Sequence, residues 1–244
     1  MLLLILRTVP IHVYDGFESQ ELSGWRWSRW RLIPRAVASE STVVRAGRHA
    51  LAITVHDGDR YEAASDTGAA TERDELMEPW WLFSRTGRTY VYSFSLYLAE
   101  SVPRTPDRLV IAQWRQVCED RRCSPDRPIL ALRIENGALV VSRNDEQGKH
   151  ILYQGTKDVR QRWLDFRVEV RFDSTEGGFA DICLDGHRIV RYQGPMVFQP
   201  QHGYPGHGLL YFKTGLYRDA LQQPPWTIYV DEYRKDQCPG TGCQ

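Results

Sequence analysis

The chain has 244 residues, 42% hydrophobic and 25% charged, enough to bury a sizeable core and too apolar for a disordered or fibrous protein. Its 31 basic and 31 acidic residues cancel, which argues against a general nucleic-acid binder; a local basic surface stays open. No stretch is apolar over the ~20 residues a membrane-spanning helix needs, so no membrane span is expected.

Strand signals run from end to end. The chain opens with the apolar run Met-Leu-Leu-Leu-Ile-Leu, so residues 1–14 read as a signal remnant or a first strand. Residues 11–14 precede a turn at Asp15-Gly16. Residues 24–31 carry Trp25, Trp27 and Trp30 among arginines, a pattern that fits sugar stacking or a buried edge strand. Val43-Val44 and residues 50–55 read as strands around a turn at Ala46-Gly47-Arg48. A polar loop over 57–70 leads into Thr71-Glu72-Arg73-Asp74-Glu75-Leu76, where strand alternation places Arg73 and Glu75 on one face and Leu76 on the other.

Residues 90–98 put Tyr90, Tyr92, Phe94, Leu96 and Leu98 on one side. In 109–115, Val110, Ala112 and Trp114 share a face, and Ile111, Gln113 and Arg115 share the other. Asn136-Gly137 between 129–135 and 138–143 is a strong hairpin signal. Residues 163–172 alternate apolar and charged side chains, as in a sheet with one solvated face. Gly177-Gly178 and Asp185-Gly186 punctuate two further strands at 179–184 and 188–192. In 207–218, Leu210, Phe212 and Leu216 point one way, while Tyr211, Lys213 and Tyr217 point the other with Gly215 between them. A last strand covers 226–230. With no amphipathic helix and no internal repeat, the pattern predicts an all-β sandwich or jelly roll.

Of five cysteines, Cys118 and Cys123 bracket one short polar loop and Cys238 and Cys243 another. Two small disulfide loops and an oxidising compartment are expected, secreted or periplasmic, with Cys183 a free thiol. Neither spacing suits a zinc site. Glu18 and Asp231 are candidate ligands for a structural Ca²⁺ ion; otherwise no metal ligand or cofactor is expected.

Arg73-Asp74-Glu75-Leu76, Ile111-Ala112-Gln113-Trp114 and Tyr211-Phe212-Lys213-Thr214-Gly215-Leu216-Tyr217-Arg218 resemble the three strand motifs of jelly-roll polysaccharide lyases, the group of heparin lyase I and glucuronan lyase and, more distantly, alginate lyase. The resemblance runs over roughly residues 15–233. It implies a concanavalin-like β-jelly roll of two antiparallel sheets, with residues 15–237 as a single lyase-like domain and 238–244 as a tail. It further implies a monomer acting on an anionic uronate polysaccharide. The implied reaction is β-elimination: a base removes the C5 proton beside the uronate carboxylate, and the glycosidic oxygen leaves from C4. Neutralising the carboxylate lets the enolate-like intermediate form.

Carried over by motif, the resemblance implies that Arg73 and Gln113 hold the carboxylate and that Tyr217 is the catalytic phenol, acting as general acid, with the role of base left open. Lys213, Tyr211, Arg218 and Glu75 line the substrate site, with Lys213 and Arg218 as cations favouring deprotonation of the phenol. Members of the family carry a His two residues after the Gln, where this chain has Arg115. Arginine stays protonated at working pH and cannot readily take the proton. Three readings follow: Tyr217 does both jobs while Arg115 helps neutralise the carboxylate; His56, His202 or His207 is the base; or the chain only binds its polysaccharide. A jelly-roll glycosidase is the weakest alternative, because Glu72-Arg73-Asp74 continues to Met77 where a second Glu would be needed.

Overall fold

The computed structural model describes residues 10–19, 26–27, 36–59, 71–104, 108–118, 123–124, 127–204, 208–220 and 224–238. Sixteen strands form two sheets among these residues. In chain order they are β1 (His12–Asp15), β2 (Arg26–Trp27), β3 (Val37–Glu40), β4 (Ala50–Val55), β5 (Thr71–Met77), β6 (Ser84–Arg85), β7 (Thr89–Leu98) and β8 (Leu109–Gln116). Then follow β9 (Leu130–Glu135), β10 (Ala138–Asp145), β11 (Gly148–Gln154), β12 (Trp163–Arg171), β13 (Phe179–Leu184), β14 (His187–Gln193), β15 (Leu209–Asp219) and β16 (Trp226–Gln237). Single 3-10 turns at Trp80–Leu82 and Pro200–His202 are the helical elements described.

The first sheet runs β14-β13-β12-β7-β16-β4-β3, with β1 also on β16; the second runs β11-β10-β9-β8-β15-β5-β2, with β6 also on β15. All pairings are antiparallel. The architecture is the all-β sandwich of two antiparallel sheets that the turn-punctuated pattern predicts. The amphipathic 163–172 segment becomes β12 in the first sheet. The three polar-faced segments become neighbours in the second, with β15 between β8 and β5.

The core lies between the sheets. Phe212 of β15 packs against Trp114 of β8 (4.9 Å between ring centroids), Phe94 of β7 (5.1 Å) and Tyr233 of β16 (5.7 Å). Below it, Glu78 and Lys235 form a fully buried ion pair between the sheets, at 3.0 Å. Tyr233 and the Phe212 amide also donate to Glu78. The hydrogen bonds satisfy both charges, which is the condition for tolerating them there.

Three elements differ from the sequence pattern. The strand before β4 is Val37–Glu40, not Val43-Val44, which lies in a bend; β11 carries no clear strand signal, because its Lys149-His150 start reads as loop. In β8 a bulge between Val110 and Ala112 shifts the alternation, so Ile111 joins the core and Val110 lies opposite Tyr217 and Arg133. The expected Asn136-Gly137 turn is present, with φ of 53° and 77°. The tryptophan-rich 24–31 stretch lies outside the described residues save for the backbone of β2.

Cys118 and Cys123 form a disulfide and Cys183 is a free thiol. Cys238 is also disulfide-bonded; its expected partner, Cys243, lies outside the described residues.

Candidate active site

Alternation along β15 sends Leu210, Phe212 and Leu216 into the core. Tyr211, Lys213 and Tyr217 therefore project from the opposite face of the sheet. On β5, Leu76 enters the core and Arg73 and Glu75 project with them; on β8, Trp114 enters the core and Gln113 and Arg115 project. These side chains point away from the core, yet Lys213 is only 6% exposed, Gln113 1% and Arg73 7%. This shielded polar face of the second sheet is the candidate cleft.

The register sets the partners. Tyr217 faces Arg73 across β15–β5, Lys213 faces Gln113 across β15–β8, and Tyr211 faces Arg115. The Arg73 guanidinium lies over the Tyr217 ring, 4.2 Å from its centroid. Glu75 takes a hydrogen bond from Gln113 Nε2 and lies 3.5 Å from Lys213 Nζ. Burial is the main influence on Lys213, lowering its pKa to about 8; Glu75 pulls it up, and Arg115 and Arg73 push it further down.

Gly215 permits this arrangement. Its φ is +141°, and a Cβ there would lie 2.3 Å from the Asp74 carbonyl oxygen and 2.8 Å from Glu75 Cα. Only a glycine lets β15 run this close to β5 beneath Tyr217.

Arg108, just before β8, carries no signal in the sequence. Its Nη1 donates to the Tyr217 phenol oxygen at 2.9 Å, and its Nε lies 3.1 Å from Asp219 of β15. Arg133 of β9 adds another cation nearby; burial lowers its pKa from the usual arginine value. Arg73, Arg108 and Arg133 thus gather around the Tyr217 phenol, with Asp219 beside Arg108, while Lys213 and Arg115 lie further along the same face with Glu75. The pairing of positions 108 and 217 depends on β8 and β15 being neighbours, which no local pattern reveals.

Two expected site residues have other work. Arg218 falls on the core face and is fully buried. It binds Glu72 at 2.8 Å, donates to the Pro224 carbonyl at 2.6 Å and stacks on Trp226 at 4.6 Å. Its side chain lies on the face opposite the phenol, as alternation along the strand already implied. Glu75 is on the correct face, but its carboxylate is engaged by Lys213 and Gln113, so it positions those groups.

His56 pairs with Asp59 at 3.3 Å, and the Asp59 carbonyl accepts the Arg73 amide at 3.1 Å, which puts this turn beside the start of β5. His202 sits 3.9 Å from Glu146, in the turn after β10. His207 lies outside the described residues. Glu18 and Asp231, the candidate Ca²⁺ ligands, both reach the 45–49 loop: Glu18 accepts the amides of Arg48 and His49, and Asp231 those of Arg45 and Ala46. No group of three or more His, Cys, Asp or Glu side chains among the described residues is arranged to hold a metal ion.

No curated protein sequence matches the chain. Solved structures do. The fold is similar to that of an endo-β-1,4-glucuronan lyase from the fungus Trichoderma reesei, with TM-score 0.71 and 18% identity over 93% of this chain and 95% of that one. Alginate lyase A1-II′, of polysaccharide lyase family 7, gives 0.60 and 12% over 83% of each chain. The cellulose-induced protein Cip1 gives 0.56 and 13% over 91% and 96%. At these identities the likeness is one of fold. The family profile described as polysaccharide lyase matches residues 17–234, and with that match the chain belongs to the polysaccharide lyase family.

Proposed function

We propose that this lyase cleaves a uronate polysaccharide by β-elimination with Tyr217 as both base and acid. The observation that carries the reading is the Tyr217 phenol held between Arg73, over its ring, and Arg108, on its oxygen. A guanidinium donating to that oxygen stabilises negative charge on it.

Arg73, Gln113 and Arg115 bind the uronate carboxylate and spread its charge, which makes the C5 proton removable. Gln113 has a second N–H beyond the one it gives to Glu75. The phenolate takes the C5 proton, the C4–O bond breaks, and a C4=C5 double bond forms. Tyr217 then passes the same proton to the departing oxygen. No net proton is gained or lost, and no histidine is needed at position 115.

One phenol serving both atoms requires the C5 hydrogen and O4 on the same face of the ring. Uronates of gluco and manno configuration meet that condition; gulo does not. Glucuronan is the first candidate, since the similar Trichoderma enzyme acts on a β-1,4-glucuronan. The Cys118–Cys123 disulfide supports a secreted or periplasmic location.

The test is a panel of glucuronan, polymannuronate and polyguluronate, followed by the ultraviolet absorbance of the unsaturated product. Product from glucuronan or polymannuronate, with none from polyguluronate, is expected. Preferential cleavage of polyguluronate would overturn the single-phenol mechanism, and no product from any polymer would overturn the substrate class.

A further inference from the structure

Two adjacent tryptophans stand in water in the turn between β5 and β6. Trp80 is 68% exposed and Trp81 57%, with ring centroids 5.9 Å apart in an edge-to-face arrangement. Leaving two indoles uncovered forfeits burial that most tryptophans obtain, so a pair of them marks a contact surface.

Their position follows from the strand register. β5 and β6 lie end to end along one edge of β15: β5 stops at Met77 opposite Lys213, and β6 resumes at Ser84 opposite Leu210. The turn carrying Trp80 and Trp81 fills the gap, alongside Tyr211 and Phe212. Phe83, at the end of this turn, stacks on Tyr211 with centroids 5.3 Å apart, and Tyr211 is a cleft residue. The Phe83 amide donates to the Trp80 carbonyl at 3.2 Å, which ties the exposed pair to the aromatic stack on Tyr211.

The turn is also firmly held. The Glu78 amide donates to the Phe212 carbonyl, and the Leu82 amide to that of Pro79. Lys235 reaches from the other sheet to both the Glu78 carboxylate and the Leu82 carbonyl. A platform fixed in advance loses little entropy on binding. Arg85 and Arg88, exposed just beyond the turn, suit an anionic partner.

We propose that Trp80 and Trp81 form an auxiliary sugar subsite, on which pyranose rings of the polysaccharide bound in the cleft stack through their C–H faces. This rests on the reading of the cleft as a uronate-polymer site. The platform supplies affinity for long chains and touches no reacting atom.

The test compares Tyr217→Phe with Tyr217→Phe carrying Trp80→Ala and Trp81→Ala, by affinity electrophoresis through gels containing glucuronan or polymannuronate. Loss of the platform is expected to weaken binding about tenfold or more, as for aromatic anchors elsewhere. Phe at both positions should restore most of the binding, which separates stacking from a folding defect. In the active enzyme, the Ala pair should raise KM for polymer while leaving kcat on short oligomers unchanged. Equal retardation of the two proteins overturns the platform while leaving the cleft assignment standing, even if the tryptophans prove to bind lipid vesicles or a protein. If Tyr217→Phe alone is not retarded by any uronate polymer, the cleft assignment fails and the platform falls with it.

Discussion

Arg108 donates a hydrogen bond from Nη1 to the Tyr217 phenol oxygen at 2.9 Å, while Asp219, two residues further along the same strand, holds Nε of that arginine at 3.1 Å. A cation fixed on that oxygen favours the phenolate that must be present before the C5 proton is taken. Arg108→Met should lower kcat about a hundredfold with little change in KM, the scale seen when one oxyanion donor is removed. Arg108→Lys should recover part of the loss. A rise in KM alone would mean that Arg108 binds substrate and leaves the phenol unassisted.

Tyr217→Phe removes the atom proposed to carry the proton and leaves the ring under Arg73. Activity should fall to the limit of detection, with an unchanged thermal transition and retained binding to polymer. Full activity in this variant would disprove the mechanism.

Lys213 gives a pH dependence with a definite sign. Burial lowers it to about 8, so its charge is present below that pH and lost above it. With Lys213 proposed to help neutralise the substrate, kcat/KM should fall as pH rises through about 8. Stability should move the other way. The unfolded lysine titrates near ~10.4, so between about 8 and ~10.4 the unfolded chain holds more protons, and Lys213 contributes increasing stability with pH. Lys213→Met should remove both trends, as measured by rate profiles and thermal melts on either side of pH 8. Unaltered profiles in that variant would exclude Lys213 as their source.

Gly215→Ala should be costly despite its small size. The new methyl would meet the Asp74 carbonyl oxygen at 2.3 Å in a backbone region unfavourable to alanine. A cost of about 2–3 kcal/mol corresponds to a melting temperature lowered by about 5–10 °C. Lost activity should accompany it, because Arg73 and Glu75 ride on the displaced strand. An unchanged melting temperature would show that β5 and β15 can separate there.

The buried Glu78–Lys235 pair holds the turn that carries Trp80 and Trp81. Lys235→Met leaves a buried carboxylate without its counter-charge and should cost about 3–5 kcal/mol. Glu78→Leu combined with Lys235→Met should cost clearly less than the sum of the single changes. Additive losses in chemical denaturation would mean that the two charges do not act as a pair.

The sequence by itself determined the alternation of β5, β8 and β15, because side chains in a strand must take turns between two faces and only one face can be apolar against a core. That alternation identified Arg73, Gln113, Arg115, Tyr211, Lys213 and Tyr217 as cleft residues before any strand had a neighbour. Applied strictly, it would also have placed Arg218 in the core. Tertiary structure decided what pairing and depth control. A bulge exchanged Ile111 for Val110, and the adjacency of β8 and β15 brought Arg108 to the phenol. The gap between β5 and β6 set Trp80 and Trp81 beside Tyr211. Burial turned Glu75 into the partner of Lys213. Each depends on which strands lie side by side and in what register, and those are long-range choices made by the closing of two sheets over one core.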